Sequence, residues 1–77
     1  MAYPDDEQTE FTLRLVEVGD KKISVIKAIG EINGLGRMEA KDLIERAPVD
    51  VLKRVPEAEA RRGRELLERA GAWVEIS

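Results

Sequence analysis

The 77-residue sequence contains neither cysteine nor histidine. Without cysteine there can be no disulfide and no thiolate metal site, so the fold has to be stabilised by packing, as suits a reducing compartment. Without histidine the chain lacks the commonest metal ligand and the usual acid–base side chain. Ser24 and Ser77 are the only serines, and no histidine can activate them. We therefore predict no enzymatic activity, no catalytic residue, no metal site and no cofactor.

An excess of positive charge and long apolar runs are also missing. The formal net charge of −3 argues against broad binding to nucleic acid, which needs many Lys and Arg to displace counterions. Every apolar run is far shorter than the ~20 residues that cross a bilayer. The N-terminus has acidic residues where an export signal would be basic and then apolar. We expect a cytoplasmic protein that binds neither nucleic acid nor membranes directly.

The chain is long enough for one small domain. Residues 1–8 combine a proline with an acidic cluster and show no apolar period, so we expect a disordered acidic tail there. Residues 9–77 are expected to form the domain. Its length leaves little room for a deep catalytic cleft.

Apolar periodicity predicts the order β-α-α-β-α-β. The first strand follows from the alternation of Phe11, Leu13 and Leu15 with polar residues. Asp20 can cap the first helix, which should end near Gly34, and Pro48 should end the second. Residues 49–55 are predicted as a strand, and Pro56 and Gly71 should bound the third helix before a final strand. The fold class is α+β, with an antiparallel or mixed three-stranded sheet and three helices packed on one face.

The first predicted helix has more large apolar residues than one buried face can use. At ~100° per residue, a core-facing arc of the usual width contains Val25, Ala28, Ile29 and Ile32. Ile23 and Ile26 lie on the other side of the helix with Lys27. An exposed apolar pair beside lysines is typical of a docking site for another protein. The alternative is ordinary surface exposure, since much of any folded surface is apolar.

Several segments of the sequence resemble one known family. They are EFTLRL at residues 10–15, SVIKAI at residues 24–29, GLG at residues 34–36, EAKDLIERAP at residues 39–48 and LLERAGAWVEIS at residues 66–77. In this order and spacing they resemble the C-terminal domain of the bacterial ribosomal stalk protein. The resemblance implies the same β-α-α-β-α-β fold. It also implies a translation-related interaction domain that recruits translational GTPases to the large ribosomal subunit.

The resemblance also implies the partners and the contact residues. The expected partners are the ribosome and the translational GTPases, namely elongation factor G, elongation factor Tu and an initiation factor, with this chain monomeric. The surface that would bind them contains Lys22, Ile23, Ile26, Lys27, Gly30, Met38 and Lys41.

Three residues depart from the family pattern. Gly30 replaces an arginine of the binding surface, and Met38 replaces a basic residue, with Arg37 one place earlier. The positive rim could therefore be rotated and not lost. Gly63 occupies a core-facing position where the family has a larger apolar residue, which predicts loose packing of the third helix.

Two further features have ordinary explanations beside functional ones. Trp73 should lie on the open side of the sheet, either covering Arg14 and Val16 or supporting weak self-association. Four arginines at residues 61, 62, 64 and 69 alternate with glutamates, which predicts a solvated helix face with i,i+4 ion pairs.

Other functions remain as alternatives. An RNA module of the KH type also has two helices meeting at a glycine turn, but it needs G-x-x-G, whereas residues 34–36 read G-x-G. The family's N-terminal dimerisation segment and hinge have no counterpart in these residues. The chain is thus either a fragment or a free-standing paralogue, and a paralogue could act as a regulatory or protease-adaptor interaction module.

Overall fold

The computed structural model describes residues 9–77, and the predicted tail at residues 1–8 lies outside the described residues. The elements follow the predicted order. They are β1 (Phe11–Glu17), α1 (Lys22–Asn33), α2 (Arg37–Ile44), β2 (Val49–Val55), α3 (Glu57–Arg69) and β3 (Trp73–Ile76).

The three strands form one antiparallel sheet in the order β2-β1-β3. Leu13 in the central strand pairs with Leu52 on one side and with Ile76 on the other. The β1–β2 register shifts beside Leu13, where β2 passes through Arg54 at a φ of +57°. Beyond β3, Thr12 and Ser77 exchange two backbone hydrogen bonds of 2.9 and 3.0 Å. The sheet is therefore fully antiparallel, which decides between the antiparallel and the mixed sheet that the sequence left open.

The helices cover one face of the sheet, as predicted. Leu13 and Leu15 are fully buried, whereas Arg14 between them is exposed. The other fully buried large side chains come from the helices and are Val25, Ile29 and Leu67. From the apolar pattern of the sequence, burial is predicted for Phe11, Leu35, Leu43 and Ile76, but these four residues are only half-buried. Leu35, Leu43 and Ile76 still pack against the core from its rim.

The open face of the sheet carries polar side chains and one aromatic ring. Arg14 forms an ion pair with Asp50 across β1 and β2, with 3.3 Å between Nη1 and Oδ1. Trp73 pairs with Glu17 in the sheet register and is 60% exposed. The ring thus lies on the predicted side of the sheet.

The helix ends agree with the sequence apart from the starts of α1 and α3. Asp20 does not cap this helix, because Lys21 occupies the N-cap position and no side chain bonds to the first turn. Gly34 ends α1 at a φ of +77°, a conformation that glycine adopts without a Cβ penalty. Pro56 is the N-cap of α3, one place before the first turn where it was predicted. Arg61 and Glu57 make the predicted type of i,i+4 pair, at 2.9 Å.

Gly63 does not leave α3 loosely packed at its contact with β1. It is buried, and a Cβ added there would lie 2.6 Å from Cδ2 of Leu13. Leu13 therefore occupies the space that a larger residue at position 63 would fill. The prediction of loose packing is wrong only for the contact with Leu13, where the opposing leucine supplies the volume, since Gly63 also lines a cleft of about 110 Å³ with Ile32 and Leu52.

Candidate docking site on the first two helices

The turn between α1 and α2 fixes the relative position of the two helices. Asn33 accepts a hydrogen bond from the Leu35 backbone N–H through Oδ1 at 3.2 Å, and its Nδ2 donates to the Val51 carbonyl at 3.5 Å. At the start of α2, the Gly36 N–H donates to Oε1 of Glu39 at 3.1 Å. This bond satisfies the N–H group of the N-cap residue of α2, which would otherwise lack a partner within the helix. The turn is thus tied both to β2 and to the first turn of α2.

Ile23 and Ile26 form an apolar ridge along α1, called here the Ile23–Ile26 ridge. Ile23 is 71% exposed. Ile26, predicted to be as accessible as Ile23, is instead half-buried and packs against the core. Ile26 lines both clefts together with residues of α2, and a helical wheel of α1 alone does not include this neighbouring helix. The ridge thus has one exposed member and one anchored member.

Two clefts adjoin the ridge. The first has a volume of about 550 Å³ and is lined by Val18, Lys22, Ile23, Ile26, Lys41, Ile44 and Glu45. The second, of about 390 Å³, is lined by Ile23, Ile26, Lys27 and Arg37. Both clefts share the two isoleucines, so an apolar side chain that enters either cleft would contact them. The fold thus brings five of the seven predicted residues together, namely Lys22, Ile23, Ile26, Lys27 and Lys41.

The other two predicted residues line neither cleft. Met38 is 80% exposed on α2. Gly30 is half-buried, and a Cβ added there would lie 3.3 Å from the Leu35 carbonyl oxygen. This distance is tighter than ordinary contact, so a side chain at position 30 would require the α1–α2 turn to shift slightly. Gly30 therefore allows a close approach of the turn to α1, and it has no side chain to extend into either cleft.

Four residues of the clefts were absent from the predicted site. Val18 lies in the segment after β1, Ile44 is the last residue of α2, and Glu45 directly follows α2. Their positions depend on how the helices pack, which periodicity within one helix does not give. Arg37 is different, because its sequence position one place before Met38 already indicated a shifted cationic rim.

The clefts are bordered mainly by cationic side chains. Lys22 and Lys41 border the first cleft with Glu45, while the second has Lys27 and Arg37 and no carboxylate in its lining. In the described part of the chain, ion pairs join Arg14 to Asp50 and Arg61 to Glu57, so neither pair involves these four cations. The site is therefore apolar along the ridge and positively charged at its edges.

The described residues were also compared with the requirements of a metal site and of a membrane span. Between residues 9 and 77, no group of three or more Asp and Glu residues could hold a metal ion. Over the same range, no helix is long and apolar enough to cross a bilayer. What the structure defines is a small α+β domain with one exposed apolar and cationic surface formed by two helices.

Comparison with known proteins identifies the family to which this domain belongs. The family model described as the ribosomal protein L7/L12 C-terminal domain matches residues 11–77, and the chain belongs to this family. The large ribosomal subunit protein bL12 of Cellvibrio japonicus is 55% identical over 71 residues, which are 92% of this chain and 58% of that protein.

Two further relatives carry the same name. The bL12 protein of Paraburkholderia phytofirmans is 56% identical over 70 residues, covering 91% of this chain and 56% of the relative. The bL12 protein of Beijerinckia indica is 53% identical over 73 residues, which cover 95% of this chain and 58% of the relative. The chain thus spans just over half the length of the curated relatives it matches. The resemblance stated from the sequence is confirmed.

Proposed function

We propose that this domain docks translational GTPases on the Ile23–Ile26 ridge and its two clefts, and so helps to recruit them to the large ribosomal subunit. The observation that carries the proposal is the 71% exposure of Ile23 between two clefts edged by four cations. An exposed β-branched side chain in such a setting gains most from burial by a partner. Membership of a ribosomal protein family supports the same function.

The parts of the surface have different tasks in this proposal. The isoleucines supply the buried apolar area at the centre of the contact, and this sets how slowly the complex dissociates. The lysines and Arg37 attract an acidic partner and so raise the rate of encounter. Because the ridge consists of only two side chains, we expect an affinity in the micromolar range or weaker, which allows rapid exchange of factors.

The remaining features of the proposal follow from the family and from composition. Residues 9–77 act as a cytoplasmic interaction domain that is monomeric as this chain and catalyses nothing itself. The proposed partners are elongation factor G, elongation factor Tu, an initiation factor and the ribosome. Membership of the family supports association with the ribosome.

An NMR titration of the isotopically labelled chain with elongation factor G tests the proposal. We expect shifts confined to the ridge, the clefts and the α1–α2 turn, with the open sheet face around Trp73 unaffected. Lys27→Glu should weaken binding mainly through slower, salt-sensitive association, whereas Ile23→Ala should mainly speed dissociation. If no translational GTPase perturbs this surface, the docking proposal is wrong and a free-standing adaptor becomes the better account.

A further inference from the structure

We infer that Arg37 is a specificity-determining residue of the docking surface, contacting a carboxylate on the acidic partner that binds the Ile23–Ile26 ridge. The inference rests on the proposed function and adds to it the residue and the charge that the partner must present. Four observations support it: the cleft that Arg37 lines, its place in α2, the absence of a carboxylate partner among the described residues, and the backbone approach at Gly30.

The first observation is the composition of the second cleft. Its lining consists of Ile23, Ile26, Lys27 and Arg37, which are two apolar and two cationic residues. A partner entering this cleft removes water from both cations, and this is unfavourable unless it brings negative charge. The first cleft differs because Glu45 belongs to its own lining. Selection for an acidic partner should therefore be strongest at the second cleft.

The second observation is that Arg37 is the first residue of α2. The N-terminus of a helix carries a partial positive charge, so an acidic residue is favoured there and a cation is disfavoured. The acidic residue of this first turn is Glu39, and its Oε1 accepts a hydrogen bond from the Gly36 N–H. Arg37 therefore weakens the start of the helix. This is understandable if its charge is used by a partner.

The third observation is that the fold itself does not use the charge of Arg37. Among the described residues, neither the Arg14–Asp50 nor the Arg61–Glu57 ion pair includes it. The guanidinium group presents several N–H donors in a planar arrangement that matches a carboxylate. A carboxylate brought by the partner is thus the chemical group that this position fits.

The fourth observation is the geometry of the neighbouring candidates. A side chain at Gly30 would press on the Leu35 carbonyl oxygen, at 3.3 Å from its Cβ, and Met38 lines neither cleft. With Gly30 and Met38 lacking charge, the cations that line the second cleft are Arg37 and Lys27. Arg37 from α2 and Lys27 from α1 thus place two positive charges at the edge of the same cleft.

The test compares Arg37→Gln with Arg46→Gln in binding to elongation factor G at low and at high salt. Both variants remove one positive charge, but Arg46 lies in a different cleft, with Leu35, Glu39, Asp42 and Leu43. We expect Arg37→Gln to weaken binding about three- to tenfold at low salt, and high salt should reduce the difference. Arg46→Gln should weaken it less than about twofold, through net charge alone.

Ile23→Ala separates failure of this inference from failure of the proposed function. If Ile23→Ala weakens binding while the two arginine variants behave alike, docking on the ridge stands and the role of Arg37 is overturned. If the wild-type chain does not bind, or if Ile23→Ala has no effect, both the docking proposal and the inference fail.

Arg37→Glu gives a second readout that loss of folding cannot imitate. Reversal of the charge suits the helix N-terminus, so the thermal midpoint should stay equal or rise. Binding should nevertheless be weaker than for Arg37→Gln. A variant that is at least as stable as the wild type and binds equally well would overturn the inference.

Discussion

Replacing each isoleucine of the ridge by alanine should separate stability from docking. The two residues lie in the same helix and undergo the same substitution, so the gain in helix propensity is shared. A fully buried isoleucine truncated to alanine costs about 2–5 kcal/mol. Because Ile26 is half-buried against the core, Ile26→Ala should cost about 1–2 kcal/mol of unfolding free energy. Ile23 is 71% exposed, so Ile23→Ala should remain within about 0.5 kcal/mol.

Urea unfolding followed by circular dichroism measures both changes. With an m-value of about 1 kcal/mol per M for a small domain, Ile26→Ala should lower the midpoint by about 1–2 M. Ile23→Ala should lower it by less than about 0.5 M. Equal midpoint shifts would refute the assignment of Ile26 as anchored and Ile23 as free. If the assignment holds, Ile23→Ala is the cleaner variant for binding, because its effect on affinity contains little loss of stability.

Two backbone positions give further predictions, which thermal denaturation can check. Gly19→Ala should cost at least about 2 kcal/mol, because φ is +83° and the new Cβ would meet the Gly71 carbonyl oxygen. The control Gly34→Ala has a similar φ of +77° but open space, so it should cost only about 1 kcal/mol, and equal losses would exclude the clash as a cause. Arg54→Gly should stabilise the domain by up to about 1 kcal/mol, since Arg54 has a φ of +57°. Lys53→Gly, with no positive φ, should destabilise it by about 0.5–1 kcal/mol, and a loss of stability in both variants would contradict the prediction for Arg54.

The order and type of the secondary-structure elements could be predicted because they depend on local patterns. Alternation in β1, glycine at Gly34 and Gly71, and proline at Pro56 each act within a few residues of their own position. The start of α1 was predicted less well, since Asp20 has a suitable side chain but the helix begins one residue later than such a cap requires. Helix capping depends on local backbone angles that residue type alone does not determine.

The degree of burial was harder to predict than the pattern of burial. Leu43 and Ile76 lie on the correct side of their elements but, like Leu35 in the α1–α2 turn, they pack at the rim of a small core and are only half-buried. A domain of this size has a large surface for its volume, so inward-facing residues often keep some exposure. The same limit applies to Ile26, whose partial burial depends on a neighbouring helix.

Some residues of the candidate site could be predicted from local sequence, and others only from the tertiary packing of the helices. Lys22, Ile23 and Lys27 share one helix, and their common surface follows from a period of 3.6 residues. Ile44 and Arg37 join them only through the crossing of α1 and α2. A resemblance to a family transfers positions whatever side chain stands there, which explains why Gly30 was included in the predicted site and Arg37, one place before Met38, was not.

The position of β1 in the sheet has a consequence for how the chain acquires its structure during synthesis. The central strand is the first to leave the ribosome, but its two hydrogen-bonding neighbours are β2 and β3, which are made later. Leu13 pairs with Leu52 on one edge and with Ile76 on the other, and both partners are synthesised much later than Leu13. Contacts so distant in sequence slow folding, because a long loop has to close before any pairing is gained. The sheet can therefore be completed only after β3 has been released, and until then the edge of β1 that pairs with β3 has backbone hydrogen-bonding groups without their strand partner.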